Sequence, residues 1–258
     1  GIAHWTSMVL NYAQSRNDAE ITLVNTAPRW RSIHNNGVLL RALGGGLQLL
    51  RDVVRLRRAF RSSRFDVIHL TTSGHLAAVR DLAVSYLSNL FGVPLVYHIR
   101  FGRVPAIAQA GALEWRLIRK VMERAASVIT IDAATFAAVQ AHAPKASVCL
   151  IPNCVNVAEL PTARTMASAD KTALLLGWVV ATKGIGELVD AWSRLKALGW
   201  KLDIVGPVDE AYRNQLQALF SLDTVSFHGQ LSHREAMERM ADCDLFILPS
   251  YTEGFPNV

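Results

Sequence analysis

The chain has 258 residues, of which 51% are hydrophobic, and a formal net charge of +6 at pH 7. This length and apolar content can bury a sizeable core and exceed what one domain usually needs, so we expect two domains. No secretory signal is recognisable, and polar residues interrupt the uncharged stretch at 82–99, which argues against a membrane span there. Cys149, Cys154 and Cys243 lack metal-ligand spacing, so we expect reduced thiols, no zinc site and a cytoplasmic protein.

The first half alternates short apolar runs with segments of helical periodicity. We predict strands at 21–24, 67–70, 94–99, 127–131 and 147–151. We predict helices at 47–62, 76–90 and 113–125, and a further helix that Asp132 caps and that runs to residue 141. These elements make residues 1–157 a Rossmann-like domain, which we expect to lack its first strand.

The second half repeats the alternation after a small, polar stretch without periodicity, predicted to be a linker at 158–170. We predict strands at 174–176, 202–205, 224–227 and 244–248, with helices at 186–198 and 210–220. Ser232 and Glu235 have the spacing of a capping box, which predicts the start of another helix. Residues 171–258 are therefore predicted to form a second Rossmann-like domain, which we expect to be truncated.

Two alternating halves predict an α/β protein with two doubly wound parallel sheets that face a cleft. Ligands of such sheets bind beyond the carboxyl ends of the strands. Gly177, Gly206, Gly229 and Gly254 each follow a predicted strand. Their positions favour a ligand-facing edge, although turn geometry alone would also explain them.

Lys183 lies between the strand-end Gly177 and the start of a predicted helix. A lysine there combines a fixed cation with free backbone amides and a helix dipole, which suits a diphosphate. The alternative is a solvated charge near a helix start. The segment has no Walker order, and Gly184 and Gly186 do not complete a dinucleotide fingerprint, so ATP hydrolysis and hydride transfer lose support.

The last predicted strand ends at Pro249, before a loop that carries Glu253 and Gly254. The Glu253 carboxylate can accept hydrogen bonds from sugar hydroxyls, and Gly254 lets a ligand approach the backbone closely. Amides after Gly254, at an expected helix N-terminus, can face an anion. An ordinary strand-to-helix turn is the alternative.

These segments resemble, in order and spacing, retaining glycosyltransferases of family 4, which have the GT-B fold. The matching segments in the second half and at the hinge are 152–156, 177–188, 205–207, 225–229 and 249–258, and those in the first half are 1–5, 65–69 and 96–98. The resemblance covers nearly the whole chain. It implies two Rossmann-like domains of the GT-B type.

The resemblance implies transfer of a hexose-type sugar from a nucleotide-diphosphate donor, UDP- or GDP-linked, to a glycan or lipid-linked acceptor with retention of configuration. It places the reaction in cell-surface polysaccharide synthesis and requires neither a cofactor nor a metal, and the chain lacks an Asp-x-Asp motif. Lys183 would stabilise the departing diphosphate, Glu253 would orient the sugar, and His98 would face the sugar from the other domain. The implied donor-binding residues are Gly1, Ile2, Gly177, Trp178, Gly206, Gly229, Gly254, Phe255, Pro256 and Asn257.

The chain departs from the family pattern in two places. Trp178 stands where the family commonly has an arginine, so one expected diphosphate contact is missing. Arg100 or Arg103 can supply that phosphate or acceptor contact instead, and both can equally be surface residues. The family's second glutamate would fall beyond Val258, so we expect a protein truncated at both ends and inactive as residues 1–258 alone.

Basic residues are concentrated in the first half, which carries a net charge of +10 over residues 1–157, against −4 over 158–258. Such a bias favours an anionic partner. In the helix predicted at 47–62, Arg51, Arg55 and Arg58 share one stripe, and the apolar residues share another. The helix can therefore contact an anionic membrane from the cytoplasmic side, or it can pack on the sheet with its arginines in water.

The sequence is compatible with two other functions. A noncatalytic sugar-nucleotide-binding subunit of a glycan assembly complex is compatible with Trp178. Nucleic-acid binding is suggested by charge alone, and we predict that it does not occur because no RNA-binding signature or run of stacking aromatic residues accompanies the basic residues.

Overall fold

Two parallel four-stranded sheets, one in each half of the chain, organise the fold. The computed structural model describes residues 2–17, 19–26, 38–157, 160–162, 171–195, 199–256 and 258. By its internal contacts the chain divides into a first unit, Gly1–Asn153 with Gly254–Asn257, and a second unit, Cys154–Glu253 with Val258.

The first sheet contains four parallel strands in the order β1-β2-β3-β4. They are β1 (Ile68–Thr72), β2 (Leu95–Ile99), β3 (Ser127–Thr130) and β4 (Val148–Leu150). The helices of this unit are α1 (Ile2–Arg16), α2 (Val38–Ser62), α3 (Ala77–Phe91), α4 (Val104–Gln109), α5 (Leu113–Met122) and α6 (Ala133–His142). Helices cross over between the strands, as a parallel sheet requires.

The core of the first unit forms where strand β2 meets helix α5. Leu95, Tyr97 and Ile99 alternate along β2 and are almost completely buried, together with Ile118 and Met122 of α5. Such apolar runs form interior strands because both faces of a parallel sheet are covered. Asp132 caps α6 as predicted, since its carboxylate accepts a hydrogen bond from the Thr135 amide.

A buried polar network crosses this core. The Tyr97 hydroxyl donates to Asp81 Oδ2 at 2.9 Å, and Arg80 forms an ion pair with Asp81 at 2.6 Å. Burial raises the pKa of Asp81, while Arg80 and the hydrogen bonds of Thr72 and Tyr97 oppose that rise. The hydrogen bond from Tyr97 to Asp81 therefore holds helix α3 against strand β2 inside the core.

The second sheet has the order β7-β6-β5-β8 and is also parallel. Its strands are β5 (Lys171–Leu176), β6 (Trp200–Val205), β7 (Val225–Gly229) and β8 (Leu245–Phe246). Its helices are α7 (Ile185–Leu195), α8 (Glu210–Leu219) and α9 (His233–Asp242), and a 3-10 turn spans Ala181–Lys183. The capping box of Ser232 and Glu235 is present at the start of α9, as predicted.

Three predictions about secondary structure are wrong. Residues 19–26 contain no strand: Val24 packs on the core, but Ile21 and Leu23 are exposed and no strand pairs with them. Residues 1–5, which by the family resemblance should form the end of a glycine-rich loop, instead fall in helix α1 from Ile2 onwards. The strand predicted at 244–248 is only Leu245–Phe246, because only these two residues pair with strand β5.

The predicted α/β class with two parallel sheets is confirmed. The predicted linker lies largely outside the described residues. No helix among the described residues has the length and apolar character needed to cross a membrane.

We predict that Tyr97→Phe lowers the free energy of unfolding by about 1–3 kcal/mol, because it deprives the buried Asp81 carboxylate of a hydrogen bond. The matched control is Tyr86→Phe, which removes a hydroxyl from an exposed tyrosine that bonds to Arg124. That change is expected to alter stability by no more than about 0.5 kcal/mol. Urea denaturation measures both, and equal losses would show that Asp81 does not depend on Tyr97.

Candidate functional site

Three of the predicted glycines lie together at the carboxyl edge of the second sheet. The Gly177 amide donates to Val205 at 2.9 Å, and the Gly206 amide donates to Gly229 at 2.8 Å. Gly206 has φ +147°, and a Cβ there would overlap the Gly177 carbonyl. We call Gly177, Gly206 and Gly229 the glycine ledge. Because Gly206 packs directly on the Gly177 backbone, the ends of the strands lie close together at this edge.

The turn that carries Lys183 is packed against the loop after strand β8. Gly184, the next residue, has φ +68°, and a Cβ there would overlap the carbonyl oxygen of Pro249. Only glycine adopts this backbone conformation without strain in so little space. Helix α7 begins directly afterwards at Ile185, whose side chain is fully buried. The contact with Pro249 brings Lys183 close to the segment that contains Glu253.

Lys183 and Glu253 form an ion pair, with 2.5 Å between Lys183 Nζ and Glu253 Oε1. Their side chains are 31% and 28% exposed, so both charges are accessible from solvent. A partly exposed pair of this kind contributes little net stability and can exchange one partner for a ligand. The structure thus joins the cation predicted for a diphosphate to the carboxylate predicted for a sugar.

Aromatic side chains accompany this pair in the second unit. Trp178, directly after the ledge residue Gly177, is 45% exposed. The Tyr251 hydroxyl, two residues before Glu253, donates a hydrogen bond to Glu187 of helix α7. This bond ties the loop after β8 to helix α7 at a second point.

His98 occupies a separate polar cluster in the first unit. It lies in strand β2 and is 3% exposed. Its Nδ1 lies 3.1 Å from His69 Nε2, and its Nε2 lies 3.4 Å from an Arg100 nitrogen. The Trp5 ring from helix α1 contacts both imidazoles, with ring centroids 5.1 and 5.0 Å away.

Burial, followed by the charge of Arg100 and then by His69, lowers the pKa of His98 to about 3. The imidazole is therefore neutral near pH 7 and works as a hydrogen-bonding group without a charge.

The two arginines expected to contact phosphate or acceptor differ in their surroundings. Arg103 forms an ion pair with Glu114, so a carboxylate already balances its charge. Arg100 lies over the Trp5 ring at 4.7 Å and donates to the Asn153 side chain at 2.7 Å. Of the two, Arg100 is the one held next to a predicted site residue, His98.

The predicted donor-binding residues at the chain ends are distributed as follows. Gly1 and Asn257 lie outside the described residues, and Ile2 lies at the start of α1. Gly254, Phe255 and Pro256 belong to the first unit. There the Asn153 side chain donates a hydrogen bond to the Phe255 carbonyl at 2.6 Å. Residues 255, 256 and 258 have no regular secondary structure, and the helix N-terminus expected after Gly254 stays a prediction.

Sequence reasoning missed His69 and Trp5 as members of the His98 cluster. The sequence held an indication of His69, because two neighbouring parallel strands, β1 and β2, each carry a histidine. In the observed register His69 lies opposite Val96 and His98 opposite Thr71, which places both histidines on one sheet face. Trp5 gave no such signal, since helix α1 was not predicted. Within the described residues, no group of three or more His, Cys, Asp or Glu side chains could hold a metal ion.

The exposed face of helix α2 combines arginine and apolar side chains. Arg51, Arg55 and Arg58 line a shallow depression together with Leu50 and Val54. The opposite stripe packs into the core of the first unit through Leu56, Phe60 and their neighbours. This packing leaves the basic face in solvent and is compatible with either use of the helix.

Comparison with protein families gives two matches that together cover almost the whole chain. Residues 3–154 match the Glycosyl transferase 4-like domain, and residues 159–258 match Glycosyl transferases group 1. The resemblance to glycosyltransferase family 4 is thereby confirmed. No curated protein matches the chain.

Solved structures of glycosyltransferases share the fold. The lipopolysaccharide outer core galactosyltransferase WaaB in its apo form is 15% identical with a TM-score of 0.55, over 82% of this chain and 57% of its own. Anabaena HepE in complex with UDP and glucose is 19% identical with a TM-score of 0.59, over 81% and 57%. The UDP-forming α,α-trehalose-phosphate synthase from Burkholderia vietnamiensis is 11% identical with a TM-score of 0.63, over 86% and 59%.

These likenesses confirm the GT-B fold. The chain spans less than two thirds of the length of each of these structures.

We predict that Gly206→Ala destabilises the second unit by about 1–3 kcal/mol through backbone strain, with the overlap on the Gly177 carbonyl adding to the loss. Gly177→Ala is the matched control, because a Cβ at Gly177 meets no atom within 4 Å. Thermal unfolding of both variants measures the difference. A Gly206→Ala protein as stable as Gly177→Ala would contradict the close packing of the ledge.

Proposed function

Because the chain belongs to the glycosyl transferase 4-like family, we propose that it transfers a hexose-type sugar from a nucleotide-diphosphate donor to a glycan or lipid-linked acceptor with retention of configuration. The single observation that carries the proposal is the ion pair of Lys183 and Glu253 in the unit that also contains the glycine ledge. UDP and GDP are the donor nucleotides to test first. Cell-surface polysaccharide synthesis is the proposed setting.

The proposed roles follow from charge. As the bond between sugar and diphosphate breaks, negative charge grows on the departing diphosphate. Lys183 is the cation positioned to stabilise that charge. When the diphosphate takes Lys183 from the ion pair, the Glu253 carboxylate becomes available to accept hydrogen bonds from sugar hydroxyls. Binding of the donor thus replaces the Lys183–Glu253 ion pair with two new contacts, one from Lys183 to the diphosphate and one from Glu253 to the sugar.

The remaining site residues have supporting roles in this proposal. Trp178 offers an exposed aromatic surface next to the ledge, but an indole cannot form the bidentate phosphate contact of an arginine. His98, neutral and buried, forms a hydrogen bond to the sugar. Arg100 supplies positive charge next to His98.

We predict that Lys183→Ala weakens binding of UDP or GDP roughly 10- to 100-fold, the loss of one charge-assisted hydrogen bond of about 1.5–3 kcal/mol. Sugar transfer should fall by at least as much. Lys171→Ala is the matched control, because Lys171 also pairs with a carboxylate, that of Asp244, at the opposite end of strand β5. Calorimetric titration and a transfer assay on the full-length protein measure both effects. Equal losses in the two variants, or none in Lys183→Ala, would refute the role of Lys183.

The variant Glu253→Gln distinguishes the role of Glu253 from that of Lys183. It releases Lys183, so we predict that binding of free UDP or GDP is at least as tight as in the unaltered protein, while sugar transfer is lost. Full transfer by this variant would remove Glu253 from the mechanism. Tight donor binding by the unaltered protein without transfer or hydrolysis would instead support a noncatalytic sugar-nucleotide-binding subunit.

We further propose that the basic face of helix α2 contacts an anionic membrane surface, where a lipid-linked acceptor is found. The support is the exposed set of Arg51, Arg55 and Arg58 with Leu50 and Val54 between them. Each arginine near such a surface contributes about 1 kcal/mol, and the apolar side chains add to it by entering the headgroup region.

Co-sedimentation with vesicles containing phosphatidylserine tests this proposal. Changing Arg51, Arg55 and Arg58 to Glu should abolish binding to these vesicles. Changing the exposed Arg116, Arg119 and Lys120 of helix α5 to Glu alters the net charge equally and should leave most binding intact. Equal loss in both variants would indicate a net-charge effect, and unchanged binding in the first would reject the proposed surface.

A further inference from the structure

The hydrogen bonds around His98 determine which of its ring nitrogens carries the proton. A guanidinium group has donors and no acceptor, so the Arg100 nitrogen 3.4 Å from His98 Nε2 donates to it. His98 Nε2 must therefore hold a lone pair, and the proton of the neutral ring lies on Nδ1.

The same reasoning then assigns His69. His98 Nδ1–H points at His69 Nε2 across 3.1 Å, so His69 Nε2 must be an acceptor and the His69 proton lies on its Nδ1. A second proton on either ring would set two N–H donors against each other or against Arg100. Both imidazoles are consequently neutral while these contacts last.

We propose that His69 is a positioning residue that holds His98 in the Nδ1-protonated form, so that His98 Nε2 offers a lone pair to a sugar hydroxyl. The inference rests on the proposed function and adds a direction to it: His98 accepts the hydrogen bond and the sugar donates it. The sugar hydroxyl would replace the Arg100 contact, which at 3.4 Å is longer than a normal N–H···N or N–H···O bond.

The surroundings restrict how His98 can turn. The Trp5 ring meets the His98 ring edge-on at 89° and also contacts His69, and Arg100 lies over the same indole. The low pKa of His98 agrees with a ring that stays neutral. His69, in contrast, is exposed, so replacing it does not open a cavity in the core.

The test is nuclear magnetic resonance of the protein labelled with 15N at histidine, because long-range proton–nitrogen correlations distinguish a protonated ring nitrogen from a bare one. We expect His98 to show a protonated Nδ1 and a bare Nε2. In His69→Leu the acceptor at 3.1 Å is gone, and only the long Arg100 contact at 3.4 Å still favours a proton on Nδ1, so a fraction of His98 should shift its proton to Nε2. His69→Gln supplies an amide oxygen as acceptor and should restore the original form.

Transfer kinetics provide the second readout. We expect His69→Leu to lower kcat/KM about tenfold, the loss of one hydrogen bond, and His69→Gln to recover most of it. His142→Leu is the matched control, because His142 also contacts a tryptophan, Trp115, but belongs to no histidine pair. It should change neither the spectrum of His98 nor the rate.

A protonated Nε2 on His98 in the unaltered protein, or an unchanged His98 proton position in His69→Leu, would overturn the proposal. Failure of the proposed function would look different. If the unaltered full-length protein transfers no sugar but His69→Leu still shifts the His98 proton, His69 does position His98, and the assigned sugar contact is wrong.

Discussion

The close contact between Gly184 and Pro249 determines where the charged groups of the second unit lie. With φ +68° and no space for a Cβ, Gly184 lets the turn after strand β5 pack on the backbone of the loop after β8. Strands β5 and β8 are hydrogen-bonded neighbours, so both loops leave the same edge of the sheet. Lys183 and Glu253 meet because the chain on either side of them is constrained by these backbone contacts.

Two pairs of charged side chains in this protein differ in how deeply they are buried. Asp81 is fully buried and bound by Arg80 and Tyr97, an arrangement whose disruption leaves an unsatisfied carboxylate in the core. The pair of Lys183 and Glu253 is partly exposed, so water can solvate either partner when the two separate. The first pair is suited to hold helices and strands together, and the second is suited to open for a ligand.

The sequence predicted correctly those elements that depend on residues close together in the chain, and it was wrong where an element depends on a distant partner. Asp132 and Ser232 cap helices through amides three residues away, and both caps were predicted correctly. The prediction of a strand at 21–24 was wrong, because a β-strand forms only where a second strand pairs with it. Apolar composition does not show whether such a partner strand exists. The strand predicted at 244–248 was too long because only Leu245 and Phe246 pair with strand β5, and composition does not show where such pairing stops.

The sequence by itself determined the two α/β halves, the glycines at strand ends and the residue types suited to a diphosphate and a sugar, because periodicity, capping and turn chemistry act over a few neighbouring residues. Only the tertiary structure decided the pairings. Lys183 meets Glu253 across 70 residues and His69 meets His98 across 29, at points set by strand register and loop packing. The proton position on His98 depends on both neighbours at once, and no stretch of sequence contains that information.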